Sequence, residues 1–313
     1  MAPTPLSIDV PSSYETINLT HIKLSHHPAG APTATPVIVV TLNRPEKYNA
    51  FTPQMADSLE HAFRMIHLDP RVKVAVLTGA GKMFCAGSDL DVGFGDGKGR
   101  AVDFRDIGGR VTIAMHRCQK PTIVALQGSA VGVGMTMTLP AAVRICHEKS
   151  KYGFVFTRRG LTIESCASYF LPRLLGFSRA MYLISTGAVF PPSPQHFGDL
   201  FAEVLPEAAQ VLPRALELAQ DMAVNVSPLA STMSRALMWE GPDSPEAAHL
   251  LESRVFHHMT GQPDYKEGVA SFLQKRPPIF NTNVHDNGPS DYPWWDEVHI
   301  DRELRASKEP SKL

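Results

Sequence analysis

Glu164 is the one acidic residue in an otherwise uncharged run between Arg159 and Arg173. Two segments rich in small residues precede it, KMFCAGSDL (82–90) and LQGSAVGVG (126–134). Each predicts a loop whose backbone N–H groups can reach a ligand, because small residues allow close approach. A carboxylate in an apolar pocket beside paired N–H donors can move a proton next to a carbonyl group. These segments therefore favour an enzyme.

The segments that must position these groups predict an α/β fold. Compact apolar runs indicate strands at 17–24, 37–43, 72–79, 122–128 and 143–148. Helical spacing predicts helices at 53–69 and 103–119, the first with Thr52 as N-cap and Pro53 in the first turn. From about residue 165 the pattern becomes helical, with expected helices at 168–175, 178–186, 193–197, 206–225, 228–240 and 245–260. We expect a core at 1–205 with an N-terminal leader, a helical region at 206–280, and a tail at 281–313.

Composition excludes several classes of protein. The 313 residues carry 30 Lys and Arg against 31 Asp and Glu, so no basic field indicates nucleic-acid binding. The four cysteines, at positions 85, 118, 146 and 166, are scattered without metal-ligand spacing, which predicts reduced, mostly buried thiols and no metal site. The first residues lack the pattern of a signal peptide, and no apolar run approaches the ~20 residues of a membrane span.

The two loops, together with NRPEKYNAF (43–51) and the extended segment LQGSAVGVGMTMTLPAAV (126–143), resemble the crotonase family, the enoyl-CoA hydratase and isomerase superfamily. The resemblance runs from about Val37 to Phe280. It implies a spiral of repeated ββα units with a helical C-terminal region that assembles trimers, often paired into hexamers. It also implies an acyl-CoA substrate, with CoA as part of the substrate and no separate cofactor.

The resemblance also assigns residues to the substrate. Two backbone N–H groups, those of Ser88 and Val133, are expected to hold the thioester oxygen as an oxyanion hole. Val133 replaces the usual glycine, so its backbone must adopt an ordinary conformation. Further contacts with the acyl-CoA are expected at Lys47, Ala50, Lys82, Ala86, Gly132 and Lys275.

Family hydratases use two glutamates, and the corresponding positions here hold Thr136 and Phe156, which disfavours simple hydration. The segment IESCASYFLP (163–172) instead resembles the peroxisomal Δ3,Δ2-enoyl-CoA isomerases, with Glu164 on their single catalytic glutamate. Ile163 and Ser165 depart from the Pro and Gly of that motif. The expected reaction moves the double bond of a 3-enoyl-CoA to give the trans-2-enoyl-CoA, in a pocket with walls at Phe154, Phe156 and Leu161.

Several alternatives stay open at this point. Glu164 could offset a helix dipole, or Arg158 and Arg159 could lock it in an ion pair. A second carboxylate could take part, with candidates at Asp89, Asp91 and Asp103. Asp91, Asp103 and Asp106 lie near a loop that shapes the acyl pocket in family members. The chain could also be another crotonase-fold enzyme, of the hydratase or dienoyl isomerase type, that tailors an unusual acyl-CoA in peroxisomal secondary metabolism. The last alternative is a non-catalytic acyl-CoA-binding scaffold.

The chain ends in Ser311, Lys312 and Leu313. A C-terminal Ser-Lys-Leu is an address that the peroxisomal import receptor reads. We therefore expect that receptor as a partner and the peroxisome as the location.

Overall fold

The structure, a computed structural model, describes residues 9–93, 100, 103–298 and 300. The terminal tripeptide lies outside these residues. The described residues form two compact units. The first contains those up to 93 and 106–226, and the second contains residues 100, 103–105 and those from 227 onward.

The first unit is built on a six-stranded sheet whose order is β1-β2-β3-β4-β6-β9. Its strands are β1 (Ile22–His27), β2 (Val37–Leu42), β3 (Val74–Gly79), β4 (Thr122–Leu126), β6 (Val143–His147) and β9 (Glu203–Leu205). Within this six-stranded sheet, only the β1–β2 pair is antiparallel. A three-stranded sheet joins β5 (Ala130–Val131), β7 (Tyr152–Gly153) and β8 (Val189–Phe190) in the order β5-β7-β8.

Helices of the first unit cover the large sheet and the loops at its strand ends. They are α1 (Pro53–Leu68), α2 (Ile107–Arg117), α3 (Val133–Thr136), α4 (Ala167–Leu175), α5 (Phe177–Thr186), α6 (Pro194–Phe197) and α7 (Ala208–Asn225). Short 3-10 helices occur at Tyr14–Thr16, Pro45–Lys47 and Thr157–Arg159. The predicted N-cap of α1 is present, since the Thr52 hydroxyl accepts from the Met55 N–H at 3.1 Å.

The core of the first unit explains why its boundary differs from the predicted one. Alanines at 215, 219 and 223 and Val211 place one face of α7 against valines and isoleucines of β2, β3, β4 and β6. Burying such a face removes apolar area from water at about 25 cal/mol per Å². The first unit therefore extends past residue 205, to 226.

The second unit contains α8 (Pro228–Trp239), α9 (Pro245–Thr260), α10 (Pro263–Gln274) and α11 (Val284–Asn287). Leu229, Met233, Leu251 and Val255 form its core, and Tyr292 and Trp294 of the tail pack against it. The Trp294 indole N–H donates to the Glu240 carbonyl at 2.9 Å. No helix among the described residues has both the length and the apolar character to cross a membrane.

Three sequence predictions of local structure were wrong. The first strand begins at Ile22 and not at residue 17, because His21 has a φ of +64° and pairing with β2 starts at Ile22 and Leu42. The second helix begins at Ile107, since the side chain of Asp106 caps it by accepting from the Gly109 N–H. Helix α10 was not predicted, because several of its large apolar residues are exposed and give no clear core-facing stripe.

Candidate active site

The two predicted loops lie side by side. Cys85 and Ala130 form a parallel bridge, and the Val131 N–H donates to the Cys85 carbonyl at 3.1 Å. Gly87 has a φ of +90° and Gly132 a φ of +56°, so both loops turn through conformations that favour glycine. A Cβ on Gly87 would lie only 3.2 Å from the Val131 carbonyl oxygen. The absence of a side chain therefore lets the loops touch.

Each loop presents an N–H group that the surrounding backbone does not use. Within the described residues, no backbone carbonyl accepts a hydrogen bond from the N–H of Ser88 or of Val133. The adjacent amides are bonded, since the Asp89 N–H donates to Phe51 O at 2.9 Å and the Gly132 N–H to Gly153 O at 3.0 Å. Both loops are thus fixed while these two donors stay available.

Valine fits at position 133 because the preceding glycine makes the turn. Val133 is the first residue of α3 and is only 2% exposed, and it does not have a positive φ. A β-branched side chain is tolerated in such a conformation, whereas the φ of Gly132 would strain it. This agrees with the ordinary backbone that the sequence required there.

Glu164 lies at the start of a strained turn that leads into α4. Ser165 and Cys166 have φ values of +57° and +55°, which are uncommon for residues with a Cβ. The Ser165 N–H donates to Asp106 Oδ1 at 3.1 Å, and the Ser165 hydroxyl donates to Glu164 Oε1 at 2.9 Å. The cap of α2 therefore holds the residue that follows Glu164 and fixes the direction of its carboxyl group.

Burial, together with a hydrogen bond and charge repulsion from the neighbouring Asp106 carboxyl, raises the pKa of Glu164 to about 8. The Ser165 hydroxyl acts in the opposite direction. In the part of the chain that the structure describes, no cation pairs with Glu164. Arg158 and Arg159 instead donate to the carbonyls of Thr186 and Arg158. The predicted alternative of an arginine lock is therefore wrong.

Gly108 brings the carboxyl group and the second donor loop together. A Cβ built on this α2 glycine would lie 2.1 Å from Ser165 Oγ, 2.6 Å from Glu164 Oε2 and 2.9 Å from Val133 Cγ2. All three atoms thus approach one point on the backbone of α2. A buried carboxyl beside a free N–H donor is the arrangement needed to remove a proton from the carbon next to a bound carbonyl.

This site matches a known family. Residues 33–283 match the family described as enoyl-CoA hydratase/isomerase. The chain belongs to the enoyl-CoA hydratase/isomerase family. This confirms the resemblance to the crotonase superfamily and the predicted α/β fold with a helical C-terminal region.

Individual relatives agree with this assignment. The chain is 43% identical over 256 residues to the enoyl-CoA hydratase ACTT3 of Alternaria alternata, with 82% of this chain and 86% of that protein covered. It is 30% identical over 253 residues to the 1,2-epoxyphenylacetyl-CoA isomerase of Escherichia coli, covering 78% and 94%. The crystal structure of the enoyl-CoA hydratase from Bacillus anthracis superposes with a TM-score of 0.73 at 25% identity, covering 86% of this chain and all of that one.

The two positions that hold glutamates in family hydratases carry no carboxyl group here. Thr136 is fully buried, and its hydroxyl lacks a hydrogen-bond partner within the described residues. Phe156 is 7% exposed, and its Cζ would be 4.0 Å from a Cβ on Gly132. Of the other two expected wall residues, Phe154 is fully buried and Leu161 is exposed.

The other carboxylates that sequence offered as second acids are paired with cations. Asp89 is 6% exposed and bonds to Arg44, whose hydrogen bond lowers the pKa of that carboxyl. Asp91 is exposed and lies 3.4 Å from Lys47 Nζ. Asp103 lies 3.7 Å from Arg100 and belongs to the second unit. The carboxyl group next to Glu164 is instead Asp106, which the sequence placed only near the acyl pocket.

The residues expected to contact CoA occupy different surroundings. Ala86 of the first donor loop donates its N–H to Tyr48 O at 3.1 Å, and Ala50 lies in the 43–51 segment that packs against this loop, where its carbonyl accepts from Arg44 at 3.3 Å. Lys47 and Lys82 are exposed in the same unit. Lys275 is exposed in the second unit, where it ends α10 with a φ of +53°. Among the described residues no cluster of His, Cys, Asp and Glu could hold a metal ion.

The four cysteines are free thiols, as predicted. Three are buried and Cys166 is partly exposed. Burial raises the pKa of the Cys166 thiol to about 11, so it is protonated at neutral pH.

Proposed function

We propose that this protein is a Δ3,Δ2-enoyl-CoA isomerase, with Glu164 as the single base and the N–H groups of Ser88 and Val133 as the oxyanion hole. The observation that carries this proposal is the location of Glu164. Its carboxyl group is buried and lies beside the Val133 loop, and no cation among the described residues pairs with it. Thr136 and Phe156 have no carboxyl group to transfer a proton, so Glu164 both removes the proton and returns it.

The reaction follows from this arrangement. Glu164 removes a proton from C2 of the 3-enoyl thioester, and the electrons move into the thioester oxygen to give a dienolate. The two N–H donors stabilise the oxyanion, and each such donor contributes about 3 kcal/mol in comparable sites. The same carboxyl then gives its proton to C4, and the C2–C3 double bond of the product forms. A single base suffices because the proton only moves within the substrate.

The raised pKa suits this role. A carboxyl whose pKa lies near the working pH is a much stronger base than an ordinary glutamate when ionised, and its acid form can still return the proton. Because the ionised form starts the reaction, kcat/KM should rise with pH, reach half its maximum near pH 8 and level off about one pH unit above that. An ordinary glutamate would instead give a constant rate above about pH 5.

Hydration of a 2-enoyl-CoA is the second candidate, and two observations favour it. The relative that shares 43% identity is named a hydratase. Asp106 also supplies a second carboxyl within hydrogen-bonding reach of Glu164, so the site holds the pair of acids that water addition requires.

A spectrophotometric comparison separates the two reactions. Conversion of trans-3-hexenoyl-CoA to the conjugated 2-enoyl thioester increases ultraviolet absorbance, whereas hydration of trans-2-hexenoyl-CoA decreases it. We expect turnover of the 3-enoyl substrate by the wild type and at least about 1,000-fold less by Glu164→Gln, since a positioned base contributes about 100- to 10,000-fold. Faster loss of the 2-enoyl substrate would establish hydration instead, and CoA binding without either reaction would establish a scaffold.

We further propose that the protein acts in the peroxisome and forms trimers or hexamers. The terminal Ser311-Lys312-Leu313 supports the peroxisomal location. The family resemblance supports the trimer or hexamer. Imaging a fusion with a free C-terminus should show peroxisomal particles that disappear when the tripeptide is removed. Sedimentation of the full chain should give three or six times the 34.3 kDa monomer mass.

A further inference from the structure

Asp106 and Glu164 form a carboxyl pair at the junction of α2 and α4. The Asp106 Oδ1 atom accepts from two N–H groups, that of Gly109 inside α2 and that of Ser165. Ser165 links the two carboxyl groups, because its N–H donates to Asp106 Oδ1 at 3.1 Å and its hydroxyl donates to Glu164 Oε1 at 2.9 Å. A hydrogen bond and charge repulsion from Asp106 raise the pKa of Glu164. Two carboxylates in contact cannot both be ionised without strong repulsion, so a contact of this kind requires a proton between them.

The Asp106 and Glu164 carboxyl groups differ in their hydrogen bonds and in their burial. Asp106 already receives two backbone N–H bonds, and such bonds stabilise the charged form of a carboxylate. Glu164 receives only the hydroxyl of Ser165 and loses more of its hydration by burial. The proton of the pair therefore belongs to Glu164, and the Glu164 O–H donates to Asp106.

Other charged groups around the pair do not compensate its charge. On α2, Arg110 is committed to Asp57 and Glu60 of α1, and His116 packs edge-on against Phe170 of α4. The Cys166 thiol lies near both carboxyl groups and carries no positive charge. The arginines of the 157–159 turn donate to carbonyls, as described above.

We propose that Asp106 is a positioning residue for Glu164, and that the two carboxyl groups hold one proton between them and thereby set the orientation and the protonation of the base. The proposal rests on the proposed function in so far as Glu164 is the base. The shared proton has to leave to solvent before Glu164 can act as the base. When the ionised Glu164 then takes a proton from C2, the new O–H donates to Asp106, which keeps that proton in the pocket until C4 receives it. Asp106 itself forms and breaks no bond to the substrate.

The test reads the protonation of Glu164 directly as well as its kinetics. Full-length protein labelled with carbon-13 at glutamate Cδ is titrated by NMR, and the Glu164 signal is assigned by its loss in Glu164→Gln. The variants are Asp106→Asn, which keeps an oxygen for the two N–H groups but removes the charge, and Ser165→Ala, which removes the donor to Glu164. Asp221→Asn is the control, because Asp221 is an exposed carboxylate on α7 that accepts from Asn225.

Opposite shifts are expected from the two site variants. Asp106→Asn should lower the midpoint of the Glu164 titration by about one pH unit or more, because it removes a like charge and a hydrogen bond that favours the protonated form. Ser165→Ala should raise the midpoint, and Asp221→Asn should leave it unchanged. The acid limb of kcat/KM for the isomerase reaction should move by the same amounts.

Each result decides the question. An unchanged or raised midpoint in folded Asp106→Asn overturns the proposal, and so does an unchanged midpoint in Ser165→Ala if the asparagine variant does not fold. Shifted titrations in a protein without isomerase activity would refute the proposed function and keep the carboxyl pair. Full isomerase activity with no shift in the Glu164 titration would support the proposed function and refute the carboxyl pair.

Discussion

Replacing Gly108 by alanine tests whether the site depends on close contact between α2 and Glu164. The new Cβ would lie 2.1 Å from Ser165 Oγ and 2.6 Å from Glu164 Oε2. To restore an ordinary contact of 3.4 Å, the hydroxyl has to retreat by about 1.3 Å and the carboxyl oxygen by about 0.8 Å. A displacement of about 1 Å in a reacting group can cost roughly 100-fold in rate. We therefore expect kcat/KM to fall by about that factor.

The expected change in stability is much smaller than the change in rate. Overpacking costs about 1–3 kcal/mol, whereas alanine in place of a helical glycine gains about 1 kcal/mol. These opposing effects leave the free energy of unfolding about 0–2 kcal/mol lower, so the variant should stay folded. Thermal unfolding followed by circular dichroism, together with the isomerase assay, separates the two quantities.

Gly268→Ala in α10 is the matched control. A Cβ there would meet only the Phe280 ring at 3.6 Å, which is ordinary contact, and φ is not positive. This substitution should leave kcat/KM unchanged and stabilise the helix slightly. If Gly108→Ala retains kcat/KM within about threefold of the wild type, the α2 contact does not position Glu164 and the geometric reasoning given above fails.

Three further predictions concern stability. Because the pKa of Glu164 is raised from 4.5 to about 8, the contribution of this group to stability is fully present below pH 4.5 and is lost as the pH rises from there through 8. Glu164→Gln should therefore stabilise the protein by about 2 kcal/mol more at pH 8.5 than at pH 6 in denaturant titrations. Ser165→Gly should relieve a left-handed residue and raise the free energy of unfolding by about 1 kcal/mol, measured the same way at pH 5; a loss would mean that the hydroxyl bond outweighs the strain. Arg44→Ala should lower the free energy of unfolding because it removes the cation that pairs with Asp89, and an equally stable variant in calorimetry would show that the pair contributes nothing.

The sequence predicted the fold well where local signals agreed. Strands β2, β3 and β4 are short runs of buried apolar residues, and α1 has both an N-cap and a proline in its first turn. Local patterns failed where a distant partner decides the structure. The two-residue strands β5, β7 and β8 exist because they pair with each other, and α7 belongs to the first unit because its small residues fit the sheet.

The candidate site shows the same division. Ser88 and Val133 were found because glycine-rich loops have a local signature, and Glu164 because it is the one acid in its segment. Asp106 was noticed only as a residue near the acyl pocket, since an aspartate before a helix is ordinarily a cap, and it does cap α2. Its contact with Ser165 spans 59 positions in the chain, so no local pattern could predict it. The paired glycines at 108 and 109 in a predicted helix were the available signal, because glycine there is unfavourable without a packing reason.

The two halves of the site therefore constrain the sequence in different ways. The proposed oxyanion hole uses backbone N–H groups, so position 133 accepts valine as long as Gly132 makes the left-handed turn before it. The base depends on side chains that meet across α2 and α4, where Gly108 leaves the space and Asp106 holds Ser165. A change of reaction within this fold is then easiest by moving the carboxyl group, since the donors can stay where they are. Under the proposed function, Thr136 and Phe156 at the positions expected for the hydratase glutamates, together with Glu164 beside Val133, are a change of that kind.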